Sequence, residues 1–262
     1  MYYLTCPGGS HARIITLFYG TVCYLMFLGT FLYAIGFVGN LLVPKSVDSG
    51  DAGPLGQALI INALLLGVFA IQHSVMARQS FKQWWTQLLP APIERSTYVL
   101  FSNLALILLY WQWRAIPGVI WTLEGTAAMV LWGLFALGWA IVLVSTLLIN
   151  HFDLFGLRQV WLRFQEKEYS GLDFTTPGFY QYVRHPIYVG FMIAFWATPT
   201  MTVGHLVFAL ATTGYIIIAA KLSEDRDLVA IHGERYETYM DQVGAFVPTG
   251  RYRGPSEAKE TL

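Results

Sequence analysis

The sequence predicts an all-α integral membrane protein of about six transmembrane helices, the last two forming a C-terminal hairpin. Three observations carry that expectation. The 262 residues are 55% hydrophobic and only 12% charged, against roughly 25% charged in a soluble domain. Apolar runs of the length that crosses a hydrocarbon core, about 20 residues, recur along the chain. Aromatic residues are abundant, with nine Trp, as interfacial belts require.

The runs follow in order. Residues 14–38 form the first. No basic n-region and small-residue cleavage site frame it, so it is expected to stay as a helix rather than leave as a signal peptide. Residues 55–76, 97–113 and 126–149 form the next three. The block 186–222 is too long for one helix and breaks at "ATPTMTVG" (197–204), where Pro199 and Gly204 supply turn chemistry. With six spans, fourteen of the sixteen Lys and Arg fall on one side, and only Lys45 and Arg114 on the other. The positive-inside rule then places both termini in the cytoplasm of a bacterial inner membrane. An even number of spans is needed, because a fifth-span ending would split the basic residues evenly.

The chain reads as one membrane domain. Residues 1–176 form a helical half, 177–248 a hairpin and tail, and 249–262 a polar, frayed end. Sixteen acids balance the basic residues, so net charge gives no basis for nucleic-acid binding. Cys6 and Cys23 show neither CxxC nor Cys/His ligand spacing, so no disulfide framework and no metal site is expected.

The topology gathers ionisable groups at one face. His73 ends the second span in "QHSVMAR" (72–78), and His151 and Asp153 follow the fourth in "NHFDLFGLRQVW" (150–161). The stretch "YQYVRHPIYVGF" (180–191) opens the hairpin, and Glu224 and Asp225 close it. Ionisable groups near membrane depth are costly and read first as functional. Each also has a plainer reading. His73 suits a packed helical histidine, and Asp153 suits an N-cap for an amphipathic interfacial helix. Most charges in 221–240 suit a solvated, salt-bridged face.

"GFYQYVRHPIYVG" (178–190), the acids Glu224–Asp225, and "HGERYETYMDQVGAFVP" (232–248) resemble the C-terminal signature of the isoprenylcysteine carboxyl methyltransferase and phospholipid methyltransferase-like membrane enzymes. One departure is Asp225, where that pattern has Glu. Upstream, "YAIGFVGNLLVPKSVDSG" (33–50), "QHSVMAR" and "HFDLFGLRQVW" resemble the bacterial methanethiol S-methyltransferases, and to a lesser degree the NnrU-type membrane proteins.

The resemblance implies methyl transfer from S-adenosylmethionine to a small thiol, methanethiol or hydrogen sulfide, at a pocket on the cytoplasmic face of the bilayer. No GxGxxG fingerprint follows a strand, so a Rossmann cofactor site is not expected. Arg184 is suited to the donor's carboxylate, and Glu224 or Asp225 to its ammonium or ribose hydroxyls. Tyr180, Tyr182 and Tyr188 offer ring faces to the adenine or the sulfonium. Pro186 suits the first turn of a helix. Gly190 lets backbone or cofactor approach closely, and His185 serves through its ring or its backbone. Thiol deprotonation needs a base in the histidine range. His151 is the first choice, with Asp153 or His73 orienting it or sharing the role, and a nearby tyrosine relaying the proton. Three alternatives stay open: methylation of a prenylcysteine carboxylate or lipid amine, an NADPH-dependent sterol-type reductase, and an NnrU-like non-enzymatic membrane protein.

Overall fold

The computed structural model of the chain describes residues 9–50 and 52–254. Cys6, and the end of the polar tail at 255–262, lie outside the described residues. In chain order the elements are α1 (Ser10–Gly39), α2 (Leu55–Ala77), α3 (Gln79–Trp85), α4 (Ala91–Gln112), β1 (Val119–Thr122) and α5 (Gly125–Leu148). They continue with α6 (His151–Leu154), α7 (Leu157–Phe164), α8 (Pro186–Trp196), β2 (Thr200–Thr202) and α9 (Val203–Ala219). A π turn, Ala220–Glu224, then joins α9 to α10 (Asp225–His232), and α11 (Glu234–Gln242) follows.

The chain is an all-α membrane protein. Among the described residues four helices are long and apolar enough to cross a bilayer: α1, α2, α5, and the continuous helical run Val203–His232. The expected third span lies inside α4, whose first turn carries Glu94 and which is less apolar than those four. The expected hairpin forms, but its first arm, α8, has only 11 residues. At 1.5 Å per residue it reaches roughly 16 Å, about half the hydrocarbon thickness. The break at 197–204 holds more than a turn. Thr200–Thr202 pairs antiparallel with Val119–Thr122, where β-branched residues suit an extended ribbon.

The chain divides into two compact units. Of the described residues, the first contains 9–46, 54–114 and 150–172. In it α1 packs on α4 and α7, and α2 packs on α4. Hydrogen bonds fix the ends of these helices. Tyr33 Oη donates to Lys45 O at 2.9 Å, and the Asn62 side chain pairs with the backbone of Arg114 through two bonds of 2.8 Å. These contacts bring Lys45 and Arg114 to the same end of α1, α2 and α4. At the other end Tyr19 pairs with Thr97 and Arg95 Nε donates to Leu154 O. Met76, Tyr98 and Val99 form a core there, covered by Phe27, Phe81, Trp85 and Phe155.

Of the described residues, the second unit contains 47–50, 52–53, 115–149 and 173–254. Its central contact is α5 against α8, which cross at Gly138 and Gly190. A Cβ on Gly190 would meet Gly138 O at 2.7 Å and the Val142 amide at 2.8 Å. Backbones approach this closely only where side chains are absent, the usual device for joining helices in lipid. Trp139 meets Phe191 and Phe195 edge-on beside the crossing. Thr202 caps α9 by accepting from the His205 amide. A second core of Tyr236, Tyr239 and Val243, with Phe174 and Tyr252 against it, holds the C-terminal helices.

Candidate active site

The second unit folds three separated pieces of sequence onto one carboxylate. Asp225 is buried at the first turn of α10. Its Oδ2 accepts from Arg184 Nη2 at 3.0 Å. Its Oδ1 accepts from Tyr236 Oη at 2.7 Å and lies 3.1 Å from His185 Nε2. A buried carboxylate is tolerated only with such partners. The other ring nitrogen of His185 faces Glu224 Oε2 at 3.4 Å, an ion-pair distance. Tyr188 stacks on the His185 ring. Burial alone would lower the His185 pKa, but hydrogen bonds to Asp225 and Glu224 and their charges outweigh it and raise it to about 9. His185 is therefore an imidazolium at neutral pH, and it is 4% exposed.

The backbone around this centre is held equally firmly. Pro186 opens α8 in its first turn, where its missing N–H costs nothing. The amides of Arg184 and His185 donate to Gly244 O and Ala245 O, so the tail returns alongside the hairpin entrance. Tyr239 donates to the Tyr180 carbonyl, and Tyr180 Oη reaches Ser145 O at 3.4 Å. Burial is the main cause that raises the pKa of Tyr180, Tyr236 and Tyr239, so all three stay protonated donors. Gly233 makes the turn from α10 to α11 at φ 57°, ψ −136°, a conformation a side chain would strain. The π turn Ala220–Glu224 ends at the acidic pair, and such turns are frequent at functional sites.

A cavity of about 430 Å³ opens beside this centre, lined by Arg184, Lys221, Asp225, Arg226, Val229 and Met240. Arg184 spends one nitrogen on Asp225 and another on Met240 O at 3.2 Å. Its Nε is buried with no partner, and a buried unsatisfied donor is costly unless something fills the need. Three cations and an orphaned donor beside an apolar wall suit a carboxylate on a ligand that also has apolar parts. Asp225 already accepts at both oxygens, which leaves half-buried Glu224 as the acid able to take a further donor.

The expected residues do not all meet here. Arg184, His185, Tyr188, Glu224 and Asp225 converge. Tyr180 supports the centre through its carbonyl. Tyr182 is 45% exposed, lies under the Arg251 guanidinium, and lines a separate apolar cavity. Gly190 uses its bare face for α5.

The first unit holds the other candidates. His151 is buried, with Nε2 at 2.9 Å from Tyr24 Oη. Its ring packs against Phe27 and Phe155, which stack on each other at 3.6 Å. Burial lowers the His151 pKa, so the ring is neutral at neutral pH. Asp153 does something else. Its oxygens take Arg158 at 2.8 Å and Tyr169 at 3.3 Å, and its amide is capped by the Asn150 side chain. That occupies the carboxylate with a structural network around α6 and α7. His73 bonds Tyr98 and Ser102 and stacks on Phe69. Tyr98 belongs to the core that Phe27 and Phe155 cover, so His73 and His151 sit on two sides of one aromatic cluster.

Sequence reading singled out none of Tyr24, Arg158, Tyr98 or Tyr169. Tyr236 and Tyr239 were visible within the Gly-x-x-Tyr-x-x-Tyr tail, without a partner assigned. Among the described residues no group of three or more His, Cys, Asp or Glu could hold a metal ion.

Comparison with known proteins assigns the chain. The family described as NnrU protein matches residues 61–235. A methanethiol S-methyltransferase of Crocosphaera subtropica is 60% identical over 93% of this chain and 96% of its own length. A methanethiol S-methyltransferase of Mycobacterium tuberculosis is 56% identical over 90% and 97%. A nurim homolog of Drosophila pseudoobscura is more distant, at 29% identity over 72% and 76%. No solved structure matches. The chain belongs to the NnrU family and, within it, to the methanethiol S-methyltransferases.

Proposed function

We propose that the chain methylates methanethiol to dimethyl sulfide with S-adenosylmethionine, in the bacterial cytoplasmic membrane with both termini inside. The identity of 60% over nearly the whole length of a methanethiol S-methyltransferase carries this reading. The 14-to-2 division of Lys and Arg between the two faces supports the orientation.

The residues present fit the methyl donor. Lys221, Arg226 and the unpartnered Arg184 Nε suit its carboxylate, Glu224 its ammonium or ribose hydroxyls, and Val229 and Met240 its apolar parts. When bound, S-adenosylmethionine supplies an electrophilic methyl group on a positively charged sulfur. Asp225 and the imidazolium of His185 hold Arg184 and Glu224 in place. Preorganised charge of this kind acts without reorganisation during the reaction.

Methyl transfer to sulfur needs a thiolate, and an alkanethiol is mostly protonated at neutral pH, as the cysteine pKa of about 8.5 illustrates. His151, neutral and hydrogen-bonded to Tyr24, takes the thiol proton directly or through the Tyr24 hydroxyl. The thiolate sulfur then forms the new carbon–sulfur bond, and the bond electrons of the departing methyl stay on the donor sulfur. The released proton remains on the imidazole until product leaves.

The test is direct. Purified protein supplied with methanethiol and S-adenosylmethionine is assayed by headspace gas chromatography. Dimethyl sulfide formed in step with S-adenosylhomocysteine is expected. Intact S-adenosylhomocysteine binding with no dimethyl sulfide would overturn the substrate.

A further inference from the structure

We infer that a second cavity in the C-terminal unit is the holding site for the small neutral sulfur compound. It is a half-open pocket of about 200 Å³, and no polar atom lines it. Its walls are Ile141 of α5, Phe179, the Tyr182 ring, Val183, Pro186 and Val189. Three of these, Val183, Pro186 and Val189, recur every three residues along the hairpin entrance. They bracket Arg184 and His185, the two residues that bind Asp225. Both cavities therefore share one short wall: Arg184 faces the cationic cavity, and its neighbours face the apolar one.

Size and chemistry select the occupant. A half-open pocket of about 200 Å³ without a polar atom offers water no hydrogen bond and admits a small apolar molecule. Neutral methanethiol and dimethyl sulfide meet both conditions, whereas a thiolate would lose its hydration with nothing in return. The site therefore takes the thiol before deprotonation. A prenyl or acyl chain could enter only in part, which argues against a lipid-linked acceptor. The extra methyl of methanethiol favours it over hydrogen sulfide by about fourfold, the effect of burying one such group.

This inference rests on the proposed thiol substrate, and its test separates the two. The full chain in lipid nanodiscs is titrated with xenon and with dimethyl sulfide by NMR, and methanethiol KM and S-adenosylhomocysteine affinity are measured for wild type and Val189→Phe. Saturable, mutually competitive binding of xenon and dimethyl sulfide is expected. Val189→Phe should abolish it and raise KM at least about tenfold, with homocysteine-ligand affinity unchanged. A folded Val189→Phe protein with unchanged KM overturns the site while leaving the activity standing. If that variant does not fold, the wild-type titration decides: absence of saturable binding, or a co-purified acyl chain that blocks it, overturns the site. Competitive binding without any turnover keeps the site and removes the thiol methyltransferase reading instead.

Discussion

The Tyr236 hydroxyl donates to Asp225 Oδ1 at 2.7 Å, across eleven residues of the C-terminal signature. The same oxygen faces the His185 imidazolium, and its partner oxygen takes Arg184. Asp225 is thus the hub that joins the hairpin entrance, the acidic pair and the tyrosine tail.

Removing one spoke should cost less than removing the hub. Tyr236→Phe deletes one hydrogen bond to a charged acceptor, worth about 1.5–3 kcal/mol. Asp225→Asn leaves Arg184 buried without its counter-ion and His185 with Glu224 alone, which costs about 3–5 kcal/mol. Thermal unfolding in detergent should rank them in that order. Calorimetry should show S-adenosylhomocysteine affinity lost in Asp225→Asn and only weakened in Tyr236→Phe. Equal stability in both variants would remove Asp225 from the hub.

The same centre sets a pH dependence. His185 is held at about 9 against an ordinary 6.5. A histidine whose pKa rises on folding stabilises fully below its unfolded value, and that stabilisation is lost as pH rises through the folded one. Melting temperature should therefore fall between pH 6.5 and about 9, by a free energy on the order of 3 kcal/mol. His185→Gln should be flat across that window. A slope that survives the substitution would assign the titration elsewhere.

In the first unit the roles divide differently. His151→Ala should reduce turnover by about 10²–10⁴, the usual share of a general base, while S-adenosylhomocysteine affinity stays as it was. Tyr24→Phe removes one hydrogen bond worth about 1 kcal/mol, so a loss of roughly fivefold is expected. Asp153→Asn should leave turnover near wild type and lower stability by about 1 kcal/mol, because its carboxylate serves Arg158 and Tyr169. The acid limb of the kcat profile should lie below pH 6.5, since burial lowers the His151 pKa. Single-turnover and steady-state assays across pH separate these outcomes. An Asp153→Asn protein as inactive as His151→Ala would return the aspartate to the proton path.

Much of this was legible because lipid forces long apolar runs and a hairpin forces a break. The break at 197–204 and the Pro186 helix start follow from local chemistry, whereas the pairing of Arg184 and His185 with Asp225, about 40 residues on, does not. Other features depend on distant pairings that no local pattern carries. Tyr24 meets His151 across 127 residues. The ribbon of Val119–Thr122 with Thr200–Thr202 joins two stretches too short to announce themselves as strands. Asp153 looked like a partner for His151 because they are two residues apart. The turn at Asn150 and the Arg158 side chain direct the carboxylate elsewhere.

The glycine crossing separates structure from catalysis. Gly190 lies within the stretch that carries Arg184 and His185, yet its bare face meets the backbone of Gly138 and Val142. Gly190→Ala gains up to about 1 kcal/mol of helix propensity. It also forces backbone atoms apart, and overpacking of that kind costs about 1–3 kcal/mol. Backbone cannot swing away as a side-chain tip can, so the loss should win and melting temperature should fall. Gly214→Ala in α9 is the control, because a Cβ there meets nothing within 4 Å. It should be neutral or stabilising. S-adenosylhomocysteine affinity of the folded Gly190→Ala fraction should match wild type. If affinity collapses while the melting temperature holds, Gly190 faces the cofactor rather than α5.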